Sequence, residues 1–303
     1  MTETATWIVG IDGSDSSRHA LHWATTHAAG RATDLHVVTA WQAPLYGPYP
    51  VVGPMTSPYD TDALRAAAER EARRLAQEAT ACVDMPVEAI VVHGGASSSL
   101  LEAADHGELL IVGNRGRGGF SRLLLGSTSN QVATHAHVPT VVVRHDAPIT
   151  TTDRLLVGLD GSPNSLAALE WAIDFASPGS SIDVVWVWDA SPLAVGADQF
   201  FFPEATDLSR ERFEQIVEGV GPRAADASVV LHPEFVKGTP RAALMEFSES
   251  ADLVVLGARG HGAIGAALLG SVSSWLLHHL HRATVVVPHR EPDVPAEDTE
   301  LPT

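Results

Sequence analysis

Short apolar runs alternate with amphipathic segments along the chain. The first half contains runs typical of buried parallel strands at 7–12, 35–41, 86–92, 109–112 and 139–144. Apolar residues at helical spacing between these runs predict helices over 16–30, 61–82, 96–106 and 127–136. Strands alternating with helices in this way are characteristic of an α/β fold with a parallel sheet.

The second half repeats this order of elements. Residues 155–162 match the apolar run and the Asp-Gly-Ser turn of residues 7–14. Further strands are predicted at 182–188, 229–236, 253–256 and 284–287, and helices at 241–250 and 271–281. The polar segment 145–152 is interpreted as a linker. We therefore predict two domains, 1–147 and 148–290, followed by an acidic tail, 291–303, whose composition predicts disorder.

Two long segments do not fit a helix or a strand. Residues 42–60 are rich in Pro, Gly and Tyr, and they are interpreted either as a lid or interface loop or as exposed coil. Residues 189–207 occupy the corresponding place in the second half and are also predicted to form a loop. Three adjacent phenylalanines there, 200–202, predict either an interface or pocket wall, or packing onto the domain's own sheet.

A glycine pattern follows the fourth strand of each half. It has the form G-x2-G-x9-G-S, from Gly113 to Ser127 and from Gly257 to Ser271. Glycine allows a ligand to approach the backbone, and a helix N-terminus attracts anions, so Gly126 and Ser127 are predicted to form a phosphate cradle, with Ser127 as N-cap. The pattern lacks the lysine of a Walker A loop and the third glycine of the dinucleotide fingerprint.

An aspartate follows the first strand of each half, at Asp12 and Asp160. The carboxyl ends of strands are where open α/β sheets bind ligands. The alternative is that each aspartate caps the following helix. Because the residue occurs in both halves, ligand contact is favoured.

Composition narrows the class of partner. The chain has 37 acidic and 19 basic residues and a net charge of −18, which argues against nucleic acid as a partner.

The single cysteine of the chain, Cys82, indicates a reducing compartment. No basic-then-apolar leader and no apolar run of about 20 residues is found, so a soluble, cytoplasmic protein without a membrane partner is expected. His278 and His281 share a helix face, but without cysteine or carboxylate ligands they predict no metal site.

With these motifs in place, the chain resembles the universal stress protein family in its tandem, actinobacterial form, over about 6–145 and 153–289. The resemblance implies two doubly wound, five-stranded parallel-sheet domains of the adenine-nucleotide alpha-hydrolase type, with strand order 3-2-1-4-5. It also implies ATP between strands one and four, with Mg²⁺ bound through the phosphates. The implied function is a nucleotide-dependent regulator of stress response or growth arrest. The alternatives are a slow ATPase or phosphotransferase-type enzyme and a nucleotide-free interaction scaffold.

The resemblance also assigns ATP-binding positions. In the first half these are Gly10, Asp12, Ala40, Gly113, Asn114, Arg115, Gly116, Arg117, Gly118, Gly119, Gly126, Ser127 and Thr128. In the second half they are Gly158, Asp160, Val187, Gly257, Ala258, Arg259, Gly260, His261, Gly262, Ala263, Gly270, Ser271 and Val272. No catalytic residue is assigned, because the sequence has no Walker lysine, no adenylylation-type His-x-x-His and no acid–base dyad.

The halves are predicted to differ. Arg117, Gly119 and Arg122 of the first half are replaced by His261, Ala263 and Ala266, so the second site is expected to bind more weakly. The fifth strands, 140–143 and 284–287, are expected to pair antiparallel. That pairing joins either the two halves of one chain or two chains of a homodimer, and a protein partner of unknown identity is expected.

Overall fold

The computed structural model describes residues 4–42, 61–117, 125–189, 203–260 and 268–289, with side chains in the fourth range from Thr206 onward. The predicted loops at 42–60 and 189–207, including the three phenylalanines, and the acidic tail lie wholly or mostly outside these residues.

The first half consists of β1 (Ala5–Gly10), α1 (Asp15–Ala28), β2 (Thr33–Trp41), α2 (Thr61–Thr80), β3 (Val87–His93), α3 (Ala96–Ala104), β4 (Leu109–Gly113), α4 (Ser127–His135) and β5 (Thr140–Val143). The second half consists of β6 (Arg154–Leu159), α5 (Pro163–Phe175), β7 (Ser181–Trp188), α6 (Pro203–Asp226), β8 (Val230–Lys237), α7 (Pro240–Ser248), β9 (Leu253–Gly257), α8 (Ser271–His279) and β10 (Ala283–Val287).

The strands form one continuous sheet. Its order is β3-β2-β1-β4-β5-β10-β9-β6-β7-β8, so each half has the predicted order 3-2-1-4-5. Within each half every pairing is parallel. The α/β class is confirmed, and the two five-stranded sheets are joined edge to edge.

The join is the predicted antiparallel pairing of the fifth strands. Val142 lies opposite Thr284, and Val141 lies opposite Val285. All residues of β5 and β10 are buried. The strand edges that could have paired between two chains are therefore used within one chain, and a homodimer would have to use another surface.

Helices α1 and α5 meet across this join on one face of the sheet. The Trp23 and Phe175 rings lie 6.2 Å apart and nearly parallel, and Trp7 stacks on both of them. These rings belong to one hydrophobic cluster that includes residues of both halves. Aromatic pairs of this kind contribute about 0.5–1.5 kcal/mol beyond their burial. The two halves therefore share a core.

Two sequence-based assignments are wrong. Helix α6 begins at Pro203, inside the segment that the sequence predicted to be loop as far as Asp207. Ser127 is the first residue of α4 and not its N-cap, because the cap position is taken by Gly126 in extended backbone, with no side-chain hydrogen bond. Within the described ranges, no helix combines the length and the apolar character needed to cross a membrane.

Candidate functional site

The predicted site residues lie at the carboxyl ends of β1 and β4. These two strands are neighbours, and the chain continues from β1 to β2 on one side and from β4 to β5 on the other. Such a reversal of strand order leaves a crevice in which open α/β sheets bind ligands. The ends of β6 and β9 form the same arrangement in the second half.

Asp12 joins the two loops that border this crevice. Its Oδ1 accepts a hydrogen bond from the Ser14 N–H at 3.0 Å, and its Oδ2 accepts one from the Arg117 N–H at 2.8 Å. Partial burial alone would raise the pKa of Asp12, but hydrogen bonds from Ser14, Arg117 and Ser17 outweigh it and lower the pKa below its usual range. The carboxylate is therefore held ionised and fixed in position.

The helix-capping alternative for Asp12 is wrong. Ser14 is the N-cap of α1, and its hydroxyl oxygen accepts a hydrogen bond from the Ser17 N–H at 3.2 Å. Ser162 has the same role for α5, while Asp160 accepts a hydrogen bond from the Ser162 N–H at 2.9 Å. The cap serines also donate to the glycine loops, from Ser14 to the Arg115 carbonyl and from Ser162 to the Arg259 carbonyl, both at 3.2 Å.

The first two glycines of each motif are required by the protein's own packing. A Cβ on Gly113 would lie 2.6 Å from the Ser16 backbone, and one on Gly116 would lie 2.5 Å from the Asp12 carboxylate. In the second half, a Cβ on Gly257 would lie 2.7 Å from the Asn164 backbone, and one on Gly260 would collide with Asp160. These glycines let the motif loop and the strand–helix turn approach each other.

The third glycine has no such requirement. Gly126 has φ −75° and ψ 156°, which any residue adopts, and the nearest atom to an added Cβ would be the Asn114 carbonyl at an ordinary 3.4 Å. Gly270 is equivalent, with φ −58° and the Ala258 carbonyl also at 3.4 Å. Neither the backbone nor the part of the protein that the structure describes explains glycine at these two positions.

Both of these glycines hold the start of a helix beside the motif loop. Gly126 N–H donates to the Asn114 carbonyl, and Gly270 N–H to the Ala258 carbonyl, each at 2.8 Å. Ser127 and Thr128 then form the first turn of α4, and Ser271 and Val272 form that of α8, and neither N-cap residue makes a side-chain hydrogen bond. Uncapped first-turn N–H groups are the donors that bind anions at helix N-termini.

Asn114 faces the interior of the protein. Its side chain is completely buried, and its Oδ1 accepts hydrogen bonds from the Ser16 hydroxyl at 2.8 Å and the His145 N–H at 3.4 Å. In the second half the corresponding residue is Ala258, and Asn164 accepts from the His289 N–H at 2.9 Å. The asparagine that holds the chain after the fifth strand thus comes from a different element in each half.

Arginines from unrelated elements lie beside the two strand–helix turns. A side chain on Gly13, at φ +77°, would collide with the Arg117 guanidinium. At Gly161, φ +79°, the neighbour is Arg212 of α6, which donates from Nη2 to the Gly161 carbonyl at 3.1 Å. Sequence comparison of the two loops missed Arg212, because α6 was not predicted at that position and no motif includes it.

The remaining predicted positions are placed as follows. Ala40 and Val187 are partly buried near the carboxyl ends of β2 and β7. Gly10 and Gly158 are explained by packing, since a Cβ there would press on Leu100 or Leu244 of the helix above. Gly118, Gly119, Arg122, His261, Gly262, Ala263 and Ala266 lie outside the described residues.

Two of the clustered histidines of the second half contact other groups. His279 Nδ1 lies 2.7 Å from the Trp275 carbonyl, and His281 Nδ1 lies 3.3 Å from the Asp146 carboxylate. Burial, with a smaller effect of the His279 charge, lowers the pKa of His278. Within the ranges that the structure describes, no group of three or more His, Cys, Asp or Glu side chains is arranged to hold a metal ion.

Comparison with known proteins agrees with the geometry. The sequence profile of the universal stress protein family matches residues 6–144 and again residues 151–288. A universal stress protein of Mycolicibacterium smegmatis is 32% identical over 284 residues, covering 88% of this chain and 91% of that protein. One from Mycobacterium tuberculosis strain H37Rv is 32% identical over 279 residues, covering 89% of this chain and 92% of that protein.

A solved structure shows the same fold. The crystal structure of a universal stress protein from Archaeoglobus fulgidus superposes with a TM-score of 0.69, at 21% identity, over 95% of this chain and 100% of that one. The family profile covers most of both halves of this chain, and the mycobacterial relatives span nearly its whole length. The chain therefore belongs to the universal stress protein family, as a member with two such domains in tandem.

Proposed function

We propose that this protein binds ATP at both crevices and acts as a nucleotide-dependent regulator of the stress response. The observation that carries the proposal is glycine at positions 126 and 270, where the residues that the structure describes leave room for a side chain. A side chain there would lie beside the first turn of α4 or α8 and the motif loop. A ligand that occupies this space accounts for the glycine.

The groups around that space suit a nucleotide. The N–H groups that open α4 and α8, with the hydroxyls of Ser127 and Ser271, would hold the phosphates. Asp12 and Asp160 border the same crevice and would contact the nucleoside, while the backbone of Ala40 and Val187 would line the adenine. Bound Mg²⁺ would be held through the phosphates and would neutralise part of their charge.

Binding fits the site better than catalysis. Asp12 borders the first crevice, and backbone N–H groups already occupy both of its oxygens. Because its pKa is lowered, it is also a weak base. We therefore propose a role in which nucleotide occupancy stabilises one interaction surface for a protein partner, with hydrolysis slow or absent.

The proposal is tested on freshly purified protein. We expect mass spectrometry of the small molecules released by denaturation to detect an adenine nucleotide, and calorimetry of nucleotide-free protein to detect two ATP sites. A variant carrying both Gly126→Val and Gly270→Val should retain no nucleotide while keeping its fold by circular dichroism.

Equal retention of nucleotide by the variant and the parent protein would refute the assignment of the site. Phosphate release at a rate abolished by the same double variant would favour an enzyme.

A further inference from the structure

A second cavity lies between the two halves, at the end of the sheet opposite the first crevice. Its volume is about 630 Å³, within the range of ligand pockets. The first half contributes Trp7, Arg31 and Leu109 to its walls, and the second half contributes Trp171, Phe175 and Pro288. Apolar and aromatic residues make up much of the lining, together with the charged side chains of Arg31, Glu108 and Asp174, of which Asp174 is paired with Arg223.

The sheet pairing relates this cavity to an equivalent place on the other side of the join between the two halves. Strand registers make Glu108 equivalent to Asp252, Thr33 to Ser180, and His137 to His281. The first residue of each pair lines the cavity. The second residue of each pair therefore marks the corresponding place on the other side of the join.

That corresponding place is filled by the linker between the halves. Thr150 donates its hydroxyl to the Asp252 carboxylate at 2.9 Å, and the Ser180 hydroxyl donates to the Thr152 carbonyl at 3.0 Å. The His281 ring lies 3.3 Å from the Asp146 carboxylate, and Ile149 packs against the shared core. Three residues equivalent to cavity-lining ones are thus in contact with residues 146–152.

The chain leaves both fifth strands in the same way. The His145 N–H donates to Asn114 Oδ1, and the equivalent His289 N–H donates to Asn164 Oδ1. Both segments begin with His-x-x-Pro, at residues 145–148 and 289–292. Since Pro288 lines the cavity, the residues after His289 start at its mouth.

Arg31 supplies a charge for an acidic segment. Its guanidinium lies 4.5 Å from the centre of the Phe175 ring and donates to the carbonyls of Phe175 and His27, at 2.6 and 2.9 Å. Among the side chains that the structure describes, no carboxylate forms an ion pair with it. Burial lowers the pKa of Arg31, so a carboxylate partner would be favourable. Glu291 and Asp293 flank the proline of the segment after His289.

We propose that residues 290–296 of this chain dock in the cavity between the halves, as residues 146–152 do in the equivalent place, with Glu291 or Asp293 paired to Arg31. The C-terminal segment would then fasten the first half to the second on the side that the linker does not cover. This inference does not depend on nucleotide binding. Under this proposal the first part of the tail, whose composition predicts disorder, is ordered by the contact.

The test places a nitroxide label on the full-length chain at Ala296→Cys, with Cys82→Ser removing the exposed native thiol. The readout is the NMR signals of the indole N–H groups of Trp7 and Trp171, which line the cavity and are broadened when the nitroxide is close. Trp41 is the internal reference, because it lies eight residues along β2 from Thr33, about 26 Å at roughly 3.3 Å per residue. We expect the nitroxide to remove most of the intensity of the Trp7 and Trp171 signals and to leave the intensity of the Trp41 signal unchanged.

Two charge variants test the partner of Arg31. The double substitution Glu291→Gln with Asp293→Asn removes two negative charges and should restore the Trp7 and Trp171 signals. The control substitution Glu297→Gln with Glu300→Gln removes the same number of charges and should not restore them. If the two pairs act alike, the carboxylate–Arg31 contact is wrong. The docking itself is wrong if the label leaves all three tryptophan signals equal. It is also wrong if the signals are lost only when labelled and isotope-enriched chains are mixed, which would mean that a second copy supplies the segment.

Discussion

Arg212 of α6 donates a hydrogen bond to the carbonyl oxygen of Gly161, 3.1 Å away, at the turn that opens the second crevice. In the first half the Gly13 carbonyl accepts a hydrogen bond from Arg18 of α1 at 3.2 Å, and the guanidinium of Arg117, from the glycine loop, lies beside the same turn. Two unrelated elements thus bring a guanidinium to equivalent positions. The second crevice, which the loop sequences predict to bind more weakly, therefore has a nearby cation that those sequences do not contain.

Replacing this arginine should weaken nucleotide binding at the second site. Charge-assisted hydrogen bonds contribute about 1.5–3 kcal/mol, so Arg212→Gln is expected to lower the ATP affinity of that site by roughly tenfold or more. Calorimetry in a Gly126→Val background isolates the second site. Arg210→Gln is the matched control, because Arg210 lies on the same helix and stacks on Phe235. Equal affinities for the two variants would show that Arg212 does not reach the ligand.

Gly126→Val should remove ligand binding at the first site without unfolding the protein. The backbone at Gly126 suits a β-branched residue, and an added Cβ makes only ordinary contacts with the described residues, so the free energy of unfolding without ligand should change by less than about 0.5 kcal/mol. At ATP concentrations 100 times Kd, each occupied site adds about 2.7 kcal/mol, and the variant should lose one such increment. Thermal unfolding with and without ATP measures both quantities. Gly270→Val should behave in the same way, and a variant that still gains the full increment would contradict the assignment.

Gly113→Ala should have the opposite effect. Its Cβ would lie 2.6 Å from the backbone of Ser16, so β4 and α1 would have to separate. Overpacking of this kind costs about 1–3 kcal/mol, which urea unfolding of the nucleotide-free chain would detect. Gly126→Ala is the control, and at an unstrained position it should be neutral or stabilise by about 0.4–1 kcal/mol. Equal stability of the two variants would show that Gly113 is not needed for packing.

Stability should fall as the pH drops below about 6.5, in part because of His27. This ring is buried and stacks on Trp23 at 4.1 Å, and its Nδ1 lies 2.8 Å from the Trp23 carbonyl. Burial, supported by the charge of Arg31, lowers the pKa of His27 below the unfolded value of about 6.5. The unfolded chain therefore binds the proton first, and acid favours unfolding with a slope of at most about 1.4 kcal/mol per pH unit from this one group.

His27→Phe should flatten that pH dependence, since phenylalanine keeps a ring at the same place and does not titrate. The measurement is urea unfolding between pH 8 and pH 5, with His22→Gln as the control at an exposed position of the same helix. If His27→Phe and the parent chain lose stability equally over this range, another group is responsible.

Some features of this protein could be predicted from short stretches of sequence. Strand runs such as 109–112 and 140–143 are apolar throughout, and burial on both faces of a parallel sheet requires that composition. The two glycine motifs and the repeated Asp-Gly-Ser turns indicated two equivalent domains and placed both crevices. The joining of the fifth strands followed from their strong β propensity and from the exposed edge that each would otherwise leave.

Other features depend on contacts between distant segments. Asn114, just after β4, accepts a hydrogen bond from the His145 N–H, and Asn164, in α5, accepts one from the equivalent His289 N–H. Only the folded chain shows that the two asparagines have the same role. Gly126 takes the cap position before Ser127 because its N–H is bound by the Asn114 carbonyl, a tertiary hydrogen bond that local capping preference does not include.

The local pattern, repeated twice, determined the fold class, the number of domains and the site of the proposed ligand, because burial and turn chemistry act on neighbouring residues. Tertiary structure decided which side chains complete each crevice, and it created the cavity between the halves. Arg212 reaches Gly161 from a helix 51 residues later in the chain, and Arg31 meets Phe175 at a distance of 144 residues. Such pairs form only when the sheet brings their elements together, so no window of sequence contains them.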